Sequence, residues 1–285
     1  MQANLRAKIS DVEIAKAREV LDRFVVRDLN RASALEAGIY AIANQASMWD
    51  YAPLRVILGL RGGNMSRYAK LDVLTNPDSV EEIAKKVGWR FHHEKRFTPF
   101  IKYFGPLNDD FWQSIVMADA GVRDFYDGAI NFMAFKTISF WHLCLGGKNL
   151  LPLDVHLLRT LRTDFGLEIN EKYFTGKRRK GKRFPKGVTQ GGLFGETFDY
   201  HDKDMQCVRS VLSRHDYLKV EREAQELFSR DERFFESGKL NNALVASVLW
   251  WKGAQRGEYG TDTMFGKGEN GFDKLPYGDL RRFKV

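Results

Sequence analysis

Phe135-Lys136-Thr137-Ile138-Ser139-Phe140-Trp141-His142-Leu143-Cys144-Leu145-Gly146-Gly147-Lys148-Asn149-Leu150-Leu151-Pro152-Leu153-Asp154-Val155-His156-Leu157-Leu158-Arg159 is the stretch on which the reading of this chain turns. A lysine opens an apolar helical run, a Gly-Gly pair stops it, and Leu151-Pro152-Leu153-Asp154-Val155-His156 opens a second helix. Asp is a favoured N-cap, so Asp154 is expected to cap the helix beginning at Val155. Lys136 is less expected where it stands, because the partial positive charge at a helix N-terminus disfavours a cation. Asp154 follows Lys136 by 18 positions. A helix of about 10 residues and a returning loop can bring the two ends back together, lysine facing carboxylate.

Outward from this stretch the chain reads as helix after helix. Ser10-Asp11-Val12-Glu13, Ser33-Ala34-Leu35-Glu36 and Ser79-Val80-Glu81-Glu82 each fit the capping box, in which Ser and Glu satisfy free N–H groups reciprocally. Ile14, Ala17, Val20, Leu21 and Phe24 recur at helical spacing, as do Leu35, Ile39, Ile42 and Ala43. Further helices are expected over 51–60, 79–87, 97–104, 109–118, 121–130, 136–145, 155–165, 214–229 and 240–253. Alternating strand patterns are scarce, so the expected fold class is all-α with short connections. Two segments break the rhythm. One, 172–200, carries a basic run from Lys177, Arg178, Arg179 and Lys180 to Lys186; the other is a Gly-rich, charged tail, 257–285. No internal repeat is visible.

The bulk numbers agree with a globular protein. Among 285 residues, 44% are hydrophobic, and 21 Phe, 10 Tyr and 6 Trp supply material for a core. Cys144 and Cys207 are the two cysteines, with no Cys-x-x-Cys, which excludes a four-cysteine zinc or iron–sulfur site within one chain. No metal or cofactor is expected. No apolar run approaches the ~18 residues of a membrane span. The polar start, Met1 to Lys8, does not read as a signal peptide, so the expected place is the cytoplasm, associated with the nucleoid. The net charge of +8 favours a polyanionic partner.

A lysine paired with a carboxylate suits amine attack on the C1′ of a deoxyribose. The amine must be neutral to attack, and the carboxylate can take its proton and stabilise positive charge developing on the sugar. Burial lowers a lysine pKa, whereas a close carboxylate raises it. Such a site must be desolvated, or another positive charge must assist.

These residues resemble the helix-hairpin-helix DNA glycosylases. Archaeal-type 8-oxoguanine DNA glycosylase/lyases are similar in length and layout. Leu151 to His156 is similar to that family's catalytic-Asp signature. Ile42-Ala43-Asn44-Gln45-Ala46-Ser47 resembles a segment whose Gln fills the gap left by a flipped base. Val87-Gly88-Trp89-Arg90-Phe91-His92-His93-Glu94-Lys95 looks like an Arg-Phe-x-Asn-x-Lys stretch. Tyr217-Leu218-Lys219-Val220-Glu221 and Leu249-Trp250-Trp251 match the C-terminal helices. The resemblance spans about 33–165 and 213–253.

It implies Lys136 as nucleophile and Asp154 as its partner. DNA contacts fall to Asn44, Gln45, Arg90, His92 and His156, with the basic run Lys177, Arg178, Arg179 and Lys180 on phosphates. Trp250 and Trp251 read either as core or as a base pocket. The implied architecture is two helical subdomains flanking a DNA cleft. One is 36–148; the other is 1–35 plus 149–285, with the insert and the C-terminal extension. The implied partner is double-stranded DNA carrying an altered base, bound by a monomer. One departure stands out. The family's hairpin carries Gly-x-Gly just before the lysine, where this chain has Asn131-Phe132-Met133-Ala134-Phe135. The tail past 256 departs too, and bears on which base is taken. The readings left open are an 8-oxoguanine-like lesion, a bulky modified base in phage DNA met in antiviral defence, and a non-catalytic DNA clamp.

Overall fold

The computed structural model describes residues 5–44, 52–63, 68–89, 91–117, 120–127, 129–170 and 212–255. Thirteen helices lie among them: α1 Leu5–Lys8, α2 Asp11–Phe24, α3 Arg31–Ala43, α4 Ala52–Leu60, α5 Leu71–Leu74, α6 Pro77–Lys86, α7 Phe97–Phe104, α8 Asp109–Met117, α9 Ala120–Tyr126, α10 Phe135–Cys144, α11 Val155–Thr163, α12 Arg214–Phe228 and α13 Asn242–Gln255. The all-α expectation holds. The strand content among these residues is one antiparallel pair, β1 Phe235–Glu236 and β2 Lys239–Leu240. Ser237 and Gly238 join its strands, both with positive φ (50° and 76°), as a two-residue hairpin whose twist matches its strands requires. This pair is why α13 begins at Asn242 rather than at 240.

Helix starts show where local patterns mislead. Ser10 and Glu13 form the expected reciprocal cap of α2. Ser33 does not start α3. Asn30 is the cap, Ser33 reaches back to it from the third helical position, and the helix begins earlier than its Ser-x-x-Glu pattern suggests. Ser79 is likewise displaced as a cap by Asn76, with Pro77 opening α6. Asn caps as well as Ser, and Pro fits the first helical position because its missing N–H has no intrahelical partner to lose. Glu36, read as half of a capping box, is instead fully buried. Its carboxylate accepts from Arg61 Nε at 3.0 and 3.1 Å and from the Ala69 N–H at 2.8 Å, tying α3 to the chain beyond α4. Helix α9 stops at Tyr126, short of the expected 130, where the Ala129 N–H turns back to the Tyr126 carbonyl.

Packing partners fall into two groups. In one, α3 lies against α4, α5, α7, α8 and α10, with α6 on α4 and α7, and α9 on α10. In the other, α13 packs along α2 and α11. Helix α10 is buried nearly all round, from Phe135 to Cys144, with Lys136 the exception. An aromatic cluster centred on Trp141 joins it to the first group. Phe100 meets Trp141 edge-on at 5.3 Å, Phe104 at 4.8 Å and Trp112 at 5.9 Å. The Trp141 indole N–H donates to the Ala34 carbonyl at 3.1 Å, so a buried polar atom also registers α10 against α3.

Gly38 sets how closely α7 approaches α3. A methyl group there would lie 1.9 Å from Phe100 Cζ. Phe100 is fully buried against Trp141, so it has nowhere to retreat. Gly38→Ala is therefore expected to cost about 1–3 kcal/mol through overpacking, despite alanine's better helix propensity. A melting curve measures this, and a Tm equal to or above that of the parent would show that α7 can slide.

Candidate active site

The hairpin before α10 keeps the backbone shape that glycine usually supplies. The Met133 N–H donates to the Ile130 carbonyl at 3.1 Å, and Phe132 stands between them with φ of 69°. The left-handed region costs a non-glycine residue roughly 1–2 kcal/mol. A stack offsets that strain. The Arg96 guanidinium lies 5.0 Å from the Phe132 ring and 4.1 Å from the Phe91 ring. Arg96 is itself held by Glu94, with Nε 2.5 Å from Oε2. The missing glycines thus leave the turn intact but replace a bare backbone with a partly exposed aromatic ring.

Lys136 follows in the first turn of α10. Its Nζ lies 5.2 Å from the centre of the Phe140 ring, one turn further along the same helix. Among the described residues it makes no hydrogen bond or ion pair, so a neutral amine would keep its lone pair uncommitted. Burial lowers its pKa, while the charge of Asp154 opposes that shift. The helix N-terminus works in the same direction as burial. Cys144, two turns on from Lys136, is a free buried thiol whose pKa burial pushes up, so it stays neutral. Phe140 is walled in turn by Phe24 (6.0 Å), Tyr40 (6.0 Å) and Trp250 (5.8 Å).

Asp154 is half-buried at the entry to α11. Its Oδ1 accepts from the Leu157 N–H at 2.9 Å, and its backbone carbonyl accepts from the Leu158 N–H, so it caps the helix. Its Oδ2 accepts from the Trp250 indole N–H at 3.1 Å. Lys136 and Asp154 are therefore neighbours in electrostatic reach, one carried by α10 from the first packing group, the other by α11 from the second.

The other sequence-derived candidates scatter. Asn44 ends α3 as its half-buried C-cap. His92 opens a 3-10 turn, His92–Glu94, with Nδ1 2.7 Å from the Trp89 carbonyl oxygen. Trp251 is half-buried and packs on the core. Gln45, Arg90 and the basic residues Lys177, Arg178, Arg179 and Lys180 lie outside the described residues, as does the side chain of His156. Trp250 has a place that its sequence did not reveal. Its ring packs on Phe24 and Phe140, and its one donor goes to Asp154. Tyr217 and Glu221, visible in sequence as part of a C-terminal segment, prove to hold the loop leading to Asp154. Arg123, on Glu221, had no sequence signal, because a lone arginine in a short helix reads as solvated.

The fold has relatives among solved structures. The chain is similar to the crystal structure of Methanocaldococcus jannaschii 8-oxoguanine glycosylase/lyase in complex with a 15mer DNA containing 8-oxoguanine. The TM-score is 0.53 at 14% identity, covering 88% of this chain and 94% of that one. It is also similar to the crystal structure of Methanocaldococcus jannaschii 8-oxoguanine DNA glycosylase, at TM-score 0.51 and 14% identity, covering 87% and 90%. No protein-family model and no curated protein sequence matches it. The chain shares the fold of these archaeal proteins, over nearly their whole length. Among the described residues no helix is long and apolar enough to cross a membrane, and no cluster of His, Cys, Asp and Glu could hold a metal ion.

The Lys136–Asp154 coupling is measurable without a substrate. Asp154 raises the Lys136 pKa, so Asp154→Asn should lower it and move the amine's titration to more acidic pH. The 13Cε signal of Lys136 reads this directly. Asn keeps one acceptor oxygen for the two N–H groups of Leu157 and Trp250, so the stability loss should be small, about 0.5–1.5 kcal/mol. An unmoved titration would separate the carboxylate from the amine.

Proposed function

We propose that this protein is a DNA glycosylase that excises an altered base from double-stranded DNA, acting as a monomer, with Lys136 as nucleophile. The carrying observation is a half-buried lysine whose pKa burial lowers, uncommitted among the described residues and within the field of a carboxylate whose orientation is fixed by the Leu157 N–H and by Trp250. A non-catalytic clamp would use Asp154 as the cap of α11 but has no use for an amine whose pKa is lowered beside it. The neighbour solved with DNA containing 8-oxoguanine supports DNA as the partner, and the net charge of +8 supports a polyanion.

With the target nucleotide flipped out of the stack, the neutral Lys136 amine attacks C1′. The N–C1′ bond forms as the glycosidic bond breaks, and the base leaves with the bonding pair. Asp154 takes the proton that the attacking nitrogen sheds, and its charge stabilises the positive charge on the sugar before that. The nitrogen lone pair then expels O4′ as the C1′–O4′ bond breaks, O4′ takes the proton held by Asp154, and a Schiff base remains between Lys136 and C1′, from which strand cleavage proceeds by lyase chemistry. Trp250, partly buried beside Asp154, is the residue we assign to contact with the flipped base. Phe132, with Arg96 behind it, sits at the hairpin expected to meet the DNA backbone.

An excision screen on duplex oligonucleotides, each carrying one altered base, tests the reading. It separates an 8-oxoguanine-like lesion from a bulky modified base. On the preferred base, borohydride should trap a protein–DNA adduct with the parent protein and none with Lys136→Gln. Asp154→Asn should bind DNA at least as tightly while single-turnover excision falls on the order of 100-fold. An adduct of full yield from Lys136→Gln would remove Lys136 from the mechanism. Binding without excision across the panel would leave the clamp.

A further inference from the structure

The loop that delivers Asp154 is held by α12 through two residues one helical turn apart, Tyr217 and Glu221, which share one face of that helix. The Tyr217 hydroxyl donates to the Leu151 carbonyl at 2.6 Å and accepts from the Leu153 N–H at 3.0 Å, spanning Pro152 and ending one residue short of Asp154. Glu221 Oε1 accepts from the Leu151 N–H at 3.0 Å. Each of these groups is buried, so the loop's backbone is satisfied by α12 rather than by water.

The same tyrosine also touches the helix that bears the lysine. Its ring meets Phe135, the residue before Lys136, edge-on at 5.4 Å. Its oxygen lies 3.4 Å from Ser139 Oγ, close to one turn further along α10. Arg123 from α9 closes the arrangement. Its guanidinium pairs with Glu221 at 2.8 and 2.7 Å and lies 4.7 Å from the Phe135 ring and 5.3 Å from the Tyr217 ring. Arg123 is fully buried, and a buried charge pair of this kind tolerates little displacement.

We infer that Tyr217 is a positioning residue that sets the placement of Asp154 relative to Lys136, by bonding the backbone ahead of one and packing on the neighbour of the other. It does not touch the reacting atoms. The inference deepens the proposed glycosylase reading and rests on it for its effect on rate. Its structural content stands apart, because the Lys136–Asp154 coupling exists without substrate.

Tyr217→Phe is the direct test, since it keeps the ring on Phe135 and removes the hydroxyl. The groups facing Lys136 are Asp154 from the α11 entry and Cys144 on its own helix. Tyr40 of α3 faces Cys144, while Arg123 and Arg214 lie over the adjacent Phe135 ring. Of these only the Asp154 loop is released by losing the hydroxyl. Asp154 then raises the Lys136 pKa less, so the Lys136 13Cε titration should move to lower pH. The shift should be smaller than that of Asp154→Asn, and the double variant should equal Asp154→Asn alone. On an excised substrate, single-turnover rate should fall roughly 10- to 100-fold with DNA affinity unchanged, as expected for misplacement by a fraction of an ångström to about 1 Å. The acidic limb of the rate profile should move with the titration. Phe135→Leu, which removes the ring contact but leaves the hydroxyl bonds, should move both readouts the same way and serves if Tyr217→Phe does not fold. A Lys136 titration unmoved in the folded variant, or shifts that add with Asp154→Asn, would overturn the inference. If the titration moves but no oligonucleotide is excised by the parent protein, the positioning stands and the glycosylase reading falls.

Discussion

The enclosure of α10 around Lys136 is the constraint from which the rest follows, since the proposed chemistry needs an amine that can lose its proton. Lys136 is carried by α10, the helix most enclosed by its neighbours, and faces an aromatic ring rather than a salt-bridge partner. A close carboxylate would restore the ammonium; complete isolation would leave nothing to take the proton. The structure lies between these limits. Burial lowers the pKa, and Asp154 acts on it while its own oxygens are occupied by the Leu157 and Trp250 N–H groups.

Holding that balance demands that α10 and α11 keep their relation, although they pack on different partners. The buried polar groups are placed for this. The Trp141 indole registers α10 on α3, the Glu36–Arg61 pair ties α3 to the chain beyond α4, and the Arg123–Glu221 pair joins α9 to α12 and the Asp154 loop. Removing one partner of such a pair leaves an uncompensated charge, which is strongly destabilising, whereas the intact pair adds modest stability. Glu81 works in the same way with backbone. It accepts from the Phe97 and Thr98 N–H groups and so caps α7 from α6.

The hairpin shows that a backbone conformation and its customary residue are separable. Phe132 adopts the turn where glycine is usual, and the Arg96 stack supplies what glycine's missing Cβ would have made unnecessary. The surface offered at that turn is consequently aromatic and flanked by a guanidinium. Binding there would involve ring contacts as well as backbone N–H groups.

Local physics was legible in the sequence. Helical periodicity located the longer helices but not the one-turn α1 and α5, which are too short to show a period; Asp154 read as the cap it is, and the 18-residue spacing of Lys136 and Asp154 was compatible with their meeting because a short helix and a returning loop have few alternatives. The start sites of α3 and α6 were misread, since Asn30 and Asn76 compete with serines on equal terms and only the packing of Glu36 and the fit of Pro77 decide. The β-hairpin before α13 escaped because two-residue strands carry no periodicity. What only the tertiary structure decided is which distant groups hold the site. The Trp250 indole reaches Asp154 across 96 positions, Tyr217 reaches the Leu151 carbonyl across 66, and Arg123 reaches Glu221 across 98. A spacing within one helix follows from the rise of the backbone. A contact between helices depends on how every intervening face is buried, and no local pattern carries that information.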